Sequence, residues 1–285
     1  MGTVLDALPW AGEAGPFRGL GFKFKVRATD PVLSAHVQRI LGSLATEEAP
    51  QHSYSVVDRG AGTGARRVRT YLDHQRVATS SPDGALAYVL WHLNRSVLGS
   101  APAHLLVHAA ALEHHGDGVL LPGPSGSGKS TLAAALVMGG MGYLSDEVAA
   151  VDPARLVLVP FPKPLTLKEG SWDVLAELAP AVDAAPAAYR ERQWHVDPRT
   201  IRPRSIAGPC RPRLMVFPCY QPGATTRLAP LGKAEAVAKL AANAFSLPFP
   251  GQQGLGTMAE LVRACLAFTL VVGDLDEACA TITSL

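Results

Sequence analysis

Gly123, Pro124, Ser125, Gly126, Ser127, Gly128, Lys129 and Ser130 fill G-x-x-x-x-G-K-[ST] at every fixed position, with Thr131 next. The residue types suit the binding of a nucleotide's phosphates. Glycines let successive backbone N–H groups curl around phosphate oxygens, and a helix N-terminus adds partial positive charge. A lysine at position 129 reaches the β and γ phosphates, and a hydroxyl at 130 ligates Mg²⁺. The stretch follows an apolar run, Val119 to Leu121, and precedes a helical pattern from Lys129 to Gly139, which is the context this motif needs. A chance Gly/Ser-rich turn explains the residues less well.

Phosphoryl transfer also needs a group that orients and deprotonates the acceptor hydroxyl. Asp146 and Glu147 follow Lys129 by 17 and 18 residues, the separation of one helix and one turn, at the end of a strand-like run through Tyr143 and Leu144. One carboxylate is then available as base and the other for Mg²⁺ or its water. The bland alternative is a solvated acidic turn at a strand end.

The elements that must position these groups can be read from periodicity. Phe22 to Ala28 alternates apolar and basic residues as a half-buried strand does, and Asp30-Pro31 opens a helix through Leu44. Strand-like runs at Tyr54 to Val57 and Val68 to Leu72 flank the turn at 60–64. Pro82 to Leu98 is predicted helical, capped by Ser81 and ended by Gly99, with Leu86, Val89, Leu90, Leu93 and Val97 on one face. Residues 99–103 read as a linker between a small α+β unit, 1–100, and a second unit, 101–285.

In the second unit, Leu105 to Leu112 and Val119 to Leu121 form a hairpin around 114–118. Strands are expected at Val148 to Val151, Leu156 to Val159, Leu214 to Phe217 and Leu270 to Val272. Helices are expected at Ser171 to Leu178, Lys233 to Ala244, Met258 to Phe268 and from Asp274. The stretch 250–256 has the composition of a lid or a simple connection.

His108 in LLVHAAAL, the loop beginning 15 residues later at Gly123, and Ser145-Asp146-Glu147 together resemble the HPr kinase/phosphorylase family. They are most similar to the HPr-kinase-related proteins called HprK-related kinase A. The stretch 161–172, the arginine-containing stretch before Phe217 and the closing 273–278 carry the same likeness over about residues 100 to 285. The resemblance implies an α/β fold: a P-loop catalytic domain with a mixed sheet and flanking helices, behind a small N-terminal domain for partner or substrate binding. It implies ATP, Mg²⁺ and a serine-type hydroxyl of a protein or peptide as acceptor. Asp146 then takes the base's role, Glu147 the second acidic position, and His108 assists near the reacting oxygen. Ser130, Asp146 and Glu147 would face the metal. The chain lacks a convincing copy of the Gly-rich signature that marks true HPr kinase/phosphorylases downstream, so the resemblance does not carry over HPr as the substrate and leaves phosphorolysis open. HPr kinases are hexameric, so the resemblance extends to homo-oligomers, and related kinases are encoded beside small PqqD-like peptide-binding proteins.

Competing readings stay open from sequence: a nucleotide-gated binding module without transfer, or a small-molecule kinase. No LSGGQ-like signature accompanies the loop, against a transporter ATPase. Lys163 and Lys168 flank a Pro-rich segment, either as phosphate or acceptor contacts or as a solvated edge. Arg199, Arg202 and Arg204 either neutralise transferring phosphate or are structural. The basic run 66–69 reads as a solvated sheet face. A net charge of +2 gives no nucleic-acid signal, four scattered cysteines give no metal site, and no apolar run is long enough to span a membrane. A cytoplasmic protein is the expectation.

Overall fold

The computed structural model describes residues 5–58, 67–179, 193–245 and 251–285, without the side chains of 83 and 251–253. The turn at 60–64, Arg66 and Pro250 therefore lie outside the described residues. The architecture is mixed α/β.

The first unit is a five-stranded sheet in the order β1 (Gly12–Gly19), β2 (Phe22–Ala28), β3 (His52–Asp58), β4 (Val68–Leu72), β5 (Gln75–Ser80). Its strands pair antiparallel except β2 with β3, which are parallel and joined through α1 (Pro31–Ile40). The alternation in β2 works as expected: Phe22, Phe24, Val26 and Ala28 are buried, with the basic residues between them on the other face. Asp30 caps α1 by accepting from the Val32 amide at 2.9 Å. Helix α2 (Pro82–Ser100) is capped by Ser81, which accepts from the Gly84 amide at 3.3 Å. It lays Leu86, Val89, Leu90, Leu93 and Val97 on the sheet. Gly99 does not end this helix, which runs one residue further, with Ala101 as C-cap. The core of this sheet also takes in Leu106, Val148, Ala150 and Phe161 from the second half of the chain.

That half holds β6 (Leu105–Val107), β7 (Ala109–His114), β8 (Asp117–Pro122), α3 (Lys129–Met138), β9 (Gly142–Ser145), β10 (Ala149–Asp152), β11 (Val157–Val159), β12 (Leu165–Lys168), β13 (Gln193–Val196), α4 (Pro198–Ile201), β14 (Arg211–Tyr220), β15 (Arg227–Pro230), α5 (Lys233–Ala242), α6 (Gly251–Ala264), β16 (Leu266–Val272) and α7 (Leu275–Thr283). A six-stranded sheet runs β15-β16-β14-β8-β7-β9, with β14 parallel to both β8 and β16. Two smaller sheets, β11-β10-β6 and β12-β13, stand beside it.

Period-two alternation splits the large sheet's side chains between two cores. Ala110, Leu112, Val119 and Leu121 face one layer with α3 and α7. Ala109, Ala111 and Leu120 face the other with α5 and α6. The phosphate loop therefore leaves the end of β8, a strand covered on both faces, and enters α3.

Three further expectations are corrected. The stretch from Gly251 to Gly256 is helical, the first turns of α6, because Met258, Leu261 and Val262 pack the helix onto the sheet and override its glycines. That helix ends at Ala264, not Phe268, because the apolar run from Leu266 inserts as β16 between β14 and β15. Ser171 to Leu178 forms no regular α-helix: 3₁₀ turns at Glu169–Ser171 and Ala176–Leu178 wrap buried Leu175, and the Trp172 indole N–H donates to the Leu167 carbonyl.

Candidate active site

The loop's backbone has the conformation its glycines permit. Gly126 sits at φ 87° and Gly128, the N-cap of α3, at φ 92°, the left-handed region that glycine enters without a Cβ penalty. A Cβ on Gly123 would meet Ser127 Oγ at 2.7 Å, so the chain is curled tightly on itself. The Tyr220 amide donates to the Ser127 carbonyl at 3.2 Å and ties the loop to the end of β14. Buried Ser127 Oγ has no protein partner among the described residues, an unsatisfied hydroxyl inside a cradle that suits an anion.

Lys129 is 5% exposed, and its ammonium donates to the Pro124 carbonyl across the loop at 2.8 Å. Burial lowers its pKa, while Asp146 and Glu147 pull the other way. Lys168 is exposed and donates from Nζ to Ser125 Oγ at 3.2 Å, so β12 brings a second ammonium to the loop's rim.

Asp146 follows the last residue of β9 and is fully buried. The Ser130 hydroxyl donates to its Oδ1 at 3.0 Å, and the Thr166 amide to its Oδ2 at 3.5 Å. Burial raises the Asp146 pKa above the usual carboxylate range, with Lys163 opposing. Glu147 beside it behaves oppositely. Its Oε2 accepts from Lys163 Nζ at 2.9 Å and from Asn94 Nδ2 at 2.6 Å, and Lys163 holds its pKa down. Its backbone sits at φ 74°, a strained setting for a residue with a side chain.

His108 stands at the break between β6 and β7. Its amide donates to the Asn243 carbonyl at 2.7 Å, its carbonyl accepts from the Gly123 amide at 3.3 Å, and its ring lies 5.7 Å from that of Phe245. Burial first, and then Lys129, lower its pKa, which favours a neutral imidazole at neutral pH. The structure thus gathers His108, the 123–131 loop, Asp146 and Glu147 into one region.

Lys163 is not a solvated edge: it is 3% exposed and paired with Glu147. The arginines lie elsewhere. Arg199 pairs with Asp197 at 2.6 Å, and Asp197 also accepts from the Ser43 hydroxyl at 2.8 Å. Arg202 donates to the Gly140 and Met141 carbonyls at 2.6 and 2.9 Å, just past the far end of α3, about 15 Å along a ten-residue helix from the loop. Arg204 is exposed. Arg202→Ala is therefore expected to cost about 1–3 kcal/mol in urea unfolding, the value of charge-assisted hydrogen bonds. It should leave Mg·ADP affinity within about twofold in calorimetric titration, since distant sites act independently.

Sequence reasoning missed Asn94. It lies on α2, 53 residues before Glu147, and no local pattern marks a helical asparagine as a site residue.

Among the described residues no group of three or more His, Cys, Asp and Glu could hold a metal ion unaided. The donors present still fit Mg²⁺. The Ser130 hydroxyl and the Asp146 carboxylate are hard oxygen ligands side by side, the kind of partial set that Mg²⁺ completes with water and substrate phosphates.

No family model matches the chain, and no curated protein matches it. Among solved structures, the Hpr(Ser) kinase/phosphatase from Coxiella burnetii is similar at 12% identity and a TM-score of 0.33, covering 63% of this chain and 92% of that one. At that TM-score the likeness carries no argument about activity, and function has to be read from the site's own geometry.

Proposed function

We propose that the chain is an ATP-dependent, Mg²⁺-requiring kinase that transfers the γ-phosphate to a serine-type hydroxyl of a protein or peptide. The observation that carries this reading is the contact of Ser130 Oγ with Asp146 Oδ1 at 3.0 Å, at the mouth of the glycine loop. In this reading a buried carboxylate of raised proton affinity lies beside Ser130, the residue that would face the nucleotide's metal. The resemblance of His108, the loop and Asp146-Glu147 to HPr-kinase-like proteins supports the same assignment.

Each residue then has a defined task. Lys129 exchanges its Pro124 contact for phosphate oxygens, and the loop amides hold the phosphates in line. Asp146 accepts the proton of the acceptor hydroxyl as its oxygen bonds to the γ-phosphorus, and ADP departs with the bridging oxygen. Neutral His108 hydrogen-bonds near the reacting oxygen. Lys168, already at Ser125, adds charge at the rim. Mg²⁺, held by Ser130 and Asp146, would neutralise charge on the β and γ phosphates.

The test is incubation with γ-labelled ATP, Mg²⁺ and host lysate, followed by mass spectrometry of the labelled species. A phosphorylated serine in a protein or peptide is the expected product. Tight ATP binding with no phosphorylated product would instead favour a nucleotide-gated binding module, a second reading to which the Asn94 contact from the first unit lends weight.

A further inference from the structure

Glu147 holds a conformation that needs an explanation. A non-glycine residue at φ 74° is strained and persists only where its surroundings over-determine it. Here two donors from distant parts of the chain converge on one carboxylate oxygen: Lys163 Nζ at 2.9 Å and Asn94 Nδ2 at 2.6 Å.

Both donors are themselves fixed. The Lys163 carbonyl accepts from the Tyr143 hydroxyl at 2.8 Å, and its amide donates to the Phe161 carbonyl at 2.8 Å. Tyr143 belongs to β9, the strand that delivers Asp146, so Lys163 is referenced to the strand it serves. Asn94 is anchored differently. It follows Leu93, which is fully buried in the core of the first sheet, and it leaves that unit to meet Glu147.

We infer that Asn94 and Lys163 are positioning residues for phosphoryl transfer: by clamping Glu147 they fix the turn after β9, and with it the Asp146 carboxylate against Ser130. The inference rests on the kinase reading above and extends it to the first unit. Helix α2 supplies one jaw of the clamp, so the first unit contributes to the rate of the chemical step rather than to nucleotide affinity. Neither Asn94 nor Lys163 bonds to the glycine loop in this structure. Loss of either therefore leaves the phosphate cradle whole and loosens only the carboxylate above it.

The experiment uses the full chain and measures two quantities, Mg·ADP affinity by calorimetry and kcat for turnover of γ-labelled ATP. Asn94→Ala is expected to lower kcat by about tenfold or more with the Kd for Mg·ADP within about twofold, the pattern of an interaction that matters only in the transition state. Asn94→Asp, nearly the same shape, sets a second carboxylate against Glu147 and is expected to lower kcat further. If Asn94→Ala does not fold, Asn94→Ser provides the same reading. A kcat within about twofold of wild type, or a fall in kcat matched by an equal loss of Mg·ADP affinity, overturns the positioning role while leaving the kinase reading intact. A wild-type chain that binds Mg·ADP and turns over no ATP overturns both.

Discussion

Lys129→Met is expected to weaken Mg·ADP binding by at least about a hundredfold, roughly 2.7 kcal/mol, while leaving the ligand-free fold no less stable. The two effects have opposite origins in one side chain. Lys129 is 5% exposed, and burial already depresses its pKa, so the folded protein holds a partly desolvated ammonium. Its ammonium hydrogen-bonds to the carbonyl of Pro124, an exposed residue whose oxygen water can serve instead. Methionine keeps most of the apolar stem and removes the charge, so unfolding in urea should require the same free energy or up to about 2 kcal/mol more. Binding loses a charge-assisted contact to phosphate that nothing else on the loop replaces, because Lys168 reaches only Ser125 at the rim. Affinity within tenfold of wild type would mean that phosphate does not sit in the loop. A large loss of stability would mean that the ammonium is structural.

The division between what was legible in the sequence and what was not follows the range of the interactions. The loop and the acidic pair are local patterns separated by a single helix, and α3 carries both ends of that geometry: the loop before Lys129 and the turn that returns the chain to β9. Strand β2 and helix α2 were readable because their periods match one-sided burial. Strand β1 was not. Its glycines and Pro16 interrupt any alternation, which an edge strand with a register shift between Ala14 and Phe17 tolerates. Strand β5, at the other edge, buries no residue fully and so shows no alternation.

The glycines of α6 misled in the opposite direction, because packing against the sheet outweighed propensity. At the site the same rule holds. Lys163, between two prolines, has the local look of a surface loop, and only the fold of the turn after Phe161 carries its ammonium inside to Glu147. Asn94 depends on how two halves of the chain pack, which no spacing encodes.

At saturating Mg²⁺, which offsets the loss of one metal ligand, Asp146→Asn should leave ADP affinity within about tenfold of wild type and lower transfer by about 10²–10⁴, the range that general-base catalysis supplies. The amide can be seated without disturbing the fold. The Thr166 amide needs an acceptor and finds the asparagine oxygen, while the asparagine NH₂ faces Ser130, whose hydroxyl can turn to accept instead of donate. Burial already penalises the charged form of Asp146, so removing the charge carries little cost in stability. What is lost is a lone pair able to take up a proton, and asparagine offers no basic replacement at neutral pH. Glu147 is a poor substitute, because Lys163 and Asn94 already occupy its Oε2 and Lys163 holds its pKa down. Single-turnover transfer from γ-labelled ATP separates the outcomes: bound nucleotide with transfer slowed by those orders assigns the base to Asp146. Unchanged transfer would move the base elsewhere, and among the described residues the remaining group of suitable chemistry at the site is His108, which burial keeps neutral and able to accept a proton.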